Sequence, residues 1–277
     1  MTVVLSLLAA MSYGLADFCG GLASKRASAW SVALFASAVG AVMVLGLSLA
    51  LGGDPTATDL WWGVAAGVGN GFGTAFLYRG LSSGRMGVVA PVSGVGAAVI
   101  PAVVGLLLGE RPAPMVWVGI VLAVPAIWLV AREPDGLGRA AAPGGVLDGS
   151  LAGLGFGFLF VALSRVSEDA GLLPLAVNQV VAGLVIVLVA TLLGQPWRPR
   201  RPAVVGGTLA GVLGGVATVC FLLATREGYL SVAAVVTSLY PAFTVVLAAT
   251  VLREHVHRAQ AAGLLLCAVA VSLVAAG

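Results

Sequence analysis

Charge is what this sequence has least of. Of its 277 residues, 14 are basic and 11 acidic, 9% in all, and Lys25 is the one lysine. A soluble helical protein spreads charge along the outer face of every helix. Here the charges gather between long apolar runs, which excludes a soluble bundle. Histidine is nearly absent: His255 and His257 lie two apart in one short break. The three cysteines, Cys19, Cys220 and Cys267, sit inside apolar runs at no metal-ligand spacing. No metal and no cofactor is expected. Because no histidine falls inside an apolar run and the acids are scattered, a nucleophile–base pair for intramembrane hydrolysis is also excluded. The glycine-dense stretch Gly67–Gly73 lacks the Lys-Ser/Thr of a phosphate loop. A net charge of +3 and a pI near 9.0 do not imply a nucleic-acid partner, since the basic residues stand in ones to threes at segment ends.

What is present is apolar surface. Hydrophobic residues make up 60% of the chain and its mean hydropathy is +1.09, more than one soluble core needs. A bilayer core takes about 20 apolar residues per helix. Breaks rich in charge, Gly and Pro divide the chain into ten such segments, near 2–23, 30–52, 60–80, 86–108, 114–131, 146–164, 172–193, 203–224, 230–252 and 258–276. The first run has no basic leader and no clear cleavage site before Asp17, so it is expected to stay in the protein. Arginine-, alanine-, valine- and glycine-rich composition is that of GC-rich coding, and a bacterial inner membrane is the expected location. The lipid bilayer is thus the first partner.

Shifting the sequence by 144 residues superposes Gly63 on Gly207, Gly67 on Gly211, Gly71 on Gly215, Thr74 on Thr218, Gly84 on Gly228, Glu110 on Glu254 and Gly119 on Gly263 without a gap. The chain therefore reads as two homologous units, 1–131 and 146–277, joined by a Gly/Pro/Ala-rich linker over 132–145. Five helices per unit is an odd number, so the second unit is expected to enter the membrane from the opposite side. Basic residues agree: 11 fall on one side and 3 on the other. That count places both termini away from the cytoplasm.

The stretch Gly228-Tyr-Leu-Ser-Val-Ala-Ala-Val-Val-Thr-Ser-Leu-Tyr-Pro241, followed by Glu254 and Gln260-Ala-Ala-Gly263, resembles the EamA-like family of the drug/metabolite transporter superfamily. The first half echoes it with Gly84 to Pro91, Glu110 and Gly119. The resemblance implies an all-α integral membrane fold of ten transmembrane helices in two inverted five-helix repeats. It further implies alternating access around a central cavity, and often export of amino acids or other small compounds. One departure is Gly96-Ala97 where the second half has Tyr240-Pro241.

Asp17 reads as the one acid well inside an expected helix, where burial costs at least about 2.5 kcal/mol. Tyr13, Asp17, Gly20, Gly21 and Ser24 share its face. Asp17 is either a proton- or cation-binding group or the partner of Lys25 or Arg26 near the helix end. Asn70, Thr74 and Tyr78, with Arg79 following, form a polar stripe in the third segment, and Thr218 and Thr225 a thinner one in the eighth. Asn178 and Gln179 lie in the seventh. Such groups line a cavity or bond a neighbouring helix. The glycine ladders read as packing surfaces. Pro91 with Ser93 and Gly94, and Tyr240-Pro241 with Thr237 and Ser238, are expected to interrupt the fourth and ninth segments, either at a site or as plain kinks. Glu110 and Glu254, beside Arg111, Arg253 and the histidines, read as interfacial pairs or gates. Taken together, a secondary transporter of a small molecule, with a proton as possible second partner, is expected, as monomer or homodimer; a channel or scaffold is the alternative.

Overall fold

The structure is a computed structural model that describes residues 1–82, 86–130, 143–198, 201–251 and 256–276. Among the described residues there are eleven α-helices, one 3-10 turn and no strand. They are α1 (Thr2–Ser24), α2 (Ala29–Leu51), α3 (Ala57–Ser82), α4 (Met86–Leu107), α5 (Pro114–Val130), α6 (Pro143–Leu163), α7 (Leu173–Leu192), α8 (Arg201–Arg226), α9 (Leu230–Thr237), α10 (Tyr240–Val251) and α11 (Arg258–Ala276).

Local chemistry sets the boundaries. Gly52, Gly109, Gly171 and Gly194 take positive φ, a region with no steric penalty only for glycine, and each stands at or just past a helix or turn end. At the start of α3, Thr56 and Asp59 form a reciprocal cap. The Thr56 N–H donates to Asp59 Oδ2 at 2.9 Å and the Asp59 N–H donates to Thr56 Oγ1 at 3.3 Å. The ninth segment is broken, as expected at Tyr240-Pro241. Pro241 has no N–H to give to the Thr237 carbonyl, and the chain tightens there: Leu239 N–H donates to Val236 O and Ala242 N–H to Leu239 O, both three residues back. Pro241 then falls in the first turn of α10, where a missing donor costs nothing. The fourth segment behaves differently from expectation. α4 runs unbroken through position 91, since the loss of one internal hydrogen bond does not by itself end a helix. The side chain of Pro91, like Glu254, Arg253 and His255, lies outside the described residues.

Seven stretches are long and apolar enough to cross a membrane: Thr2–Ser24, Ala29–Leu51, Gly145–Leu163, Leu173–Leu192, Ala203–Arg226, Leu230–Val251 and Arg258–Ala276. Val92–Leu107 and Pro114–Val130 are shorter apolar helices. The outer surface is apolar, with Val42, Val121, Leu184 and Leu265 each at least 65% exposed. Polar side chains go inward: Ser93, Asn178, Ser231, Thr237 and Ser238 are fully buried. This inversion of the soluble pattern is what lipid as solvent requires. The chain is a multi-pass membrane protein.

The helices of the two halves interleave. α1 packs on α8, α3 on α6 and α7, α2 on α7 and α8, α4 on α6 and α9, α1 on α9 and α10, and α5 on α11. Every one of these pairs joins one half to the other, and exchanging the halves maps each pair onto another in the set. The glycine ladders make this possible. A Cβ at Gly63 would lie 2.5 Å from Pro174 O, one at Gly67 2.7 Å from Asn178 O, and one at Gly71 2.5 Å from Ala182 O, all on α7. Gly207 and Gly211 likewise press against Val32 O and Ala36 O on α2.

Candidate functional site

Where α1, α2, α3, α6, α7, α8 and α10 approach one another they leave a cavity of about 640 Å³, counting its open space. Tyr13 and Asp17 enter from α1, Ser37 from α2, and Asn70, Thr74 and Tyr78 from α3. The second half supplies Phe156, Phe160, Gln179, Thr218 and Tyr240. All the aromatic lining is tyrosine and phenylalanine.

Two polar networks hold these side chains. Asn70 Nδ2 donates to Asn178 Oδ1 at 3.3 Å and to Gln179 Oε1 at 3.2 Å, while Thr74 Oγ1 donates to Asn70 Oδ1 at 3.2 Å. Thr218 Oγ1 donates to the Gly214 carbonyl at 2.7 Å and so accepts from the Tyr13 hydroxyl at 3.1 Å. Tyr240 Oη and Ser93 Oγ share a bond of 3.1 Å. Buried amides and hydroxyls partnered in this way keep fixed rotamers, which makes the wall preorganised.

Asp17 stands apart from these networks. Among the described residues it makes no hydrogen bond and no ion pair, with Lys25, Arg26 or any other group. The phenols of Tyr13, Tyr78 and Tyr240 all lie within electrostatic reach of its carboxylate. Gly20, one turn along α1, gives Tyr78 room to come this close: a Cβ there would lie 2.6 Å from Tyr78 Cζ.

Not every residue singled out in the sequence reaches the cavity. Arg79 turns to Asp148 of α6, with Nε donating to Oδ1 at 2.9 Å, and its guanidinium lies 4.4 Å from the centre of the Phe76 ring. Asp17 is therefore not the one acid inside a helix. α6 begins at Pro143, three residues before the expected start, and takes Asp148 into its second turn. Asn178, Ser93 and Ser238 are buried behind the lining, the first two bonded to lining side chains. Pro241 adjoins Tyr240 at the start of α10. Thr225 bonds within its own helix, to Leu222 O.

Glu110 is a correction of another kind. It pairs with no cation; its Oε1 accepts the Leu230 N–H at 2.6 Å and its Oε2 the Ser231 N–H at 3.1 Å. The carboxylate of one half thus caps α9 of the other, where free N–H groups and the helix dipole favour an anion. Asp59 bridges the halves at the same end, its Oδ1 accepting the Ser167 N–H at 2.8 Å. The Asp59 cap was readable in the sequence as Thr-x-x-Asp before an apolar run. The Glu110 cap was not, because its partner is 120 residues away.

Comparison with known proteins agrees with this arrangement. A search of the curated proteins finds no match. A solved crystal structure described only as that of a protein is similar in fold, with a TM-score of 0.76 at 16% identity over 98% of this chain and 95% of that one. The model of the EamA-like transporter family matches twice, over residues 1–132 and 144–276, and so spans nearly all of both halves. On that match the chain belongs to the EamA-like transporter family.

Proposed function

We propose that this protein is a secondary active transporter that moves a small organic molecule across a bacterial inner membrane by alternating access, in the export direction and coupled to protons through Asp17. In this reading α9 and α10 are one broken crossing, and ten crossings form two inverted repeats, 1–131 and 146–277, on either side of the linker 132–145. The exchange symmetry of the helix pairs supports it. So does the pairing of loops: Asp54 N–H bonds Asp169 O at one end, and Ser31 Oγ bonds Arg198 O at the other. Under the 144-residue shift these are corresponding loops with the halves exchanged.

The observation that carries the reading is the cavity itself. Polar side chains from both halves converge on it, with an unpaired carboxylate in its wall. A wall built from two units that move against each other is what alternating access requires. An intramembrane acid left without a partner is retained for function by default. Tyr13, Asp17, Asn70, Thr74, Tyr78, Gln179, Thr218 and Tyr240 form the proposed binding wall, and the α9–α10 break is the proposed hinge.

Reconstitution in liposomes with an imposed pH gradient tests this. Saturable, gradient-dependent flux is expected; a scaffold gives none, and a channel does not saturate in the same range. Asp17→Asn is expected to abolish gradient dependence while the purified protein stays monodisperse. Unchanged pH dependence in that variant would remove Asp17 from the mechanism.

A further inference from the structure

Among the described residues that line the cavity, Asp17 carries the one charged side chain. No Lys, Arg or His is there to balance it. The nearest candidate by sequence, Arg79, is engaged with Asp148. Around the carboxylate stand the rings of Tyr13, Tyr78, Tyr240, Phe156 and Phe160. Aromatic faces attract cations through their quadrupole, and the attraction grows as water is excluded. A carboxylate and a set of rings in one concave site therefore favour the same ligand charge. The rest of the wall is neutral. The Asn70 and Gln179 amides are largely committed to each other, and the Tyr13 hydroxyl to Thr218.

We infer that the cavity takes an organic monocation, an ammonium ion carried on an aromatic or apolar body, with Asp17 as its counter-ion and the tyrosine and phenylalanine rings as its walls. A zwitterionic amino acid fits less well, because its carboxylate would share the cavity with Asp17 and find no basic side chain. An anion fits worst. The inference rests on the transporter reading for the route by which the ligand enters, and on the cavity's chemistry alone for what binds.

Titration calorimetry on the purified full-length protein at pH 7 separates the possibilities. The probes are 2-phenylethylammonium, 2-phenylethanol and phenylacetate, similar in size and differing in charge. The ammonium is expected to bind at least tenfold more tightly than the alcohol, and phenylacetate more weakly than either. Asp17→Asn should bring the ammonium to the alcohol's affinity, and Asp17→Glu should keep most of the preference. Equal affinity for ammonium and alcohol in the native protein, or no ammonium binding at all, overturns the inference even if the Asn variant fails to fold. A well-folded Asn variant that keeps the preference also overturns it. Flux is read separately: ammonium binding without transport in liposomes defeats the transporter reading and leaves this one standing. Transport of the alcohol or phenylacetate with no preference for ammonium does the opposite.

Discussion

Arg79 and Asp148 show how a single side chain changes meaning once its neighbour is known. In sequence Arg79 ends the stripe Asn70, Thr74, Tyr78 and belongs with it; in space α6 offers a carboxylate that is 6% exposed, and the arginine turns to it. Asp148→Ala is expected to lower stability by about 1–3 kcal/mol, the cost of stranding a partly buried charged donor, read as a lower midpoint of thermal unfolding. Arg79→Asp combined with Asp148→Arg should recover more than half of what either single reversal loses. Gly214 supplies a prediction of the opposite kind. It lines the cavity, and a Cβ built on it meets nothing within 4 Å. Gly214→Leu should therefore fill the cavity and cut flux at least tenfold with little change in unfolding midpoint. The stripe residues were legible because a polar side chain in lipid must turn inward. Which of them face the cavity and which stand behind it was not, because Asn178 and Gln179 are adjacent in sequence and only the packing of α7 on α3 separates their roles.

At the level of the helices, charge, glycine and proline marked nearly every boundary, since each breaks the apolar run or the hydrogen-bond ladder that a membrane helix needs. The outcome at the two prolines differed. Pro241 sits where a helix restarts, so the break is complete; at Pro91 the helix continues. Caps were the hidden part. Glu110→Ala should leave the Leu230 and Ser231 N–H groups without their acceptor and lower stability by about 1 kcal/mol, detectable as a lower unfolding midpoint, and Glu110→Gln should lose less. The glycine ladders allow an internal control. Gly71→Ala drives a methyl into the α7 backbone and should cost about 1–3 kcal/mol, whereas Gly46→Ala on the open face of α2 meets nothing within 4 Å and should be neutral or slightly stabilising.

For the whole molecule, the duplication was readable from matched glycines and glutamates, but its consequence for folding was not. A repeat in sequence suggests two modules side by side. Instead every principal helix pair crosses between halves, so neither half has a core of its own. Residues 1–131 or 146–277 expressed alone are expected to be degraded. The two co-expressed as separate chains, cut within the linker, should assemble and restore flux. Recovery of a stable, monodisperse single half would contradict this.

The make-up of the cavity wall also decides how the protein will report on itself. Its rings are all phenols and phenyls, and none of the six indoles in the chain lines it among the described residues. Ligand that enters will not quench tryptophan emission by touching a fluorophore. Any change in that emission on adding ligand therefore signals helices shifting in the bilayer, and its absence alongside calorimetric heat signals a bound but unmoved protein.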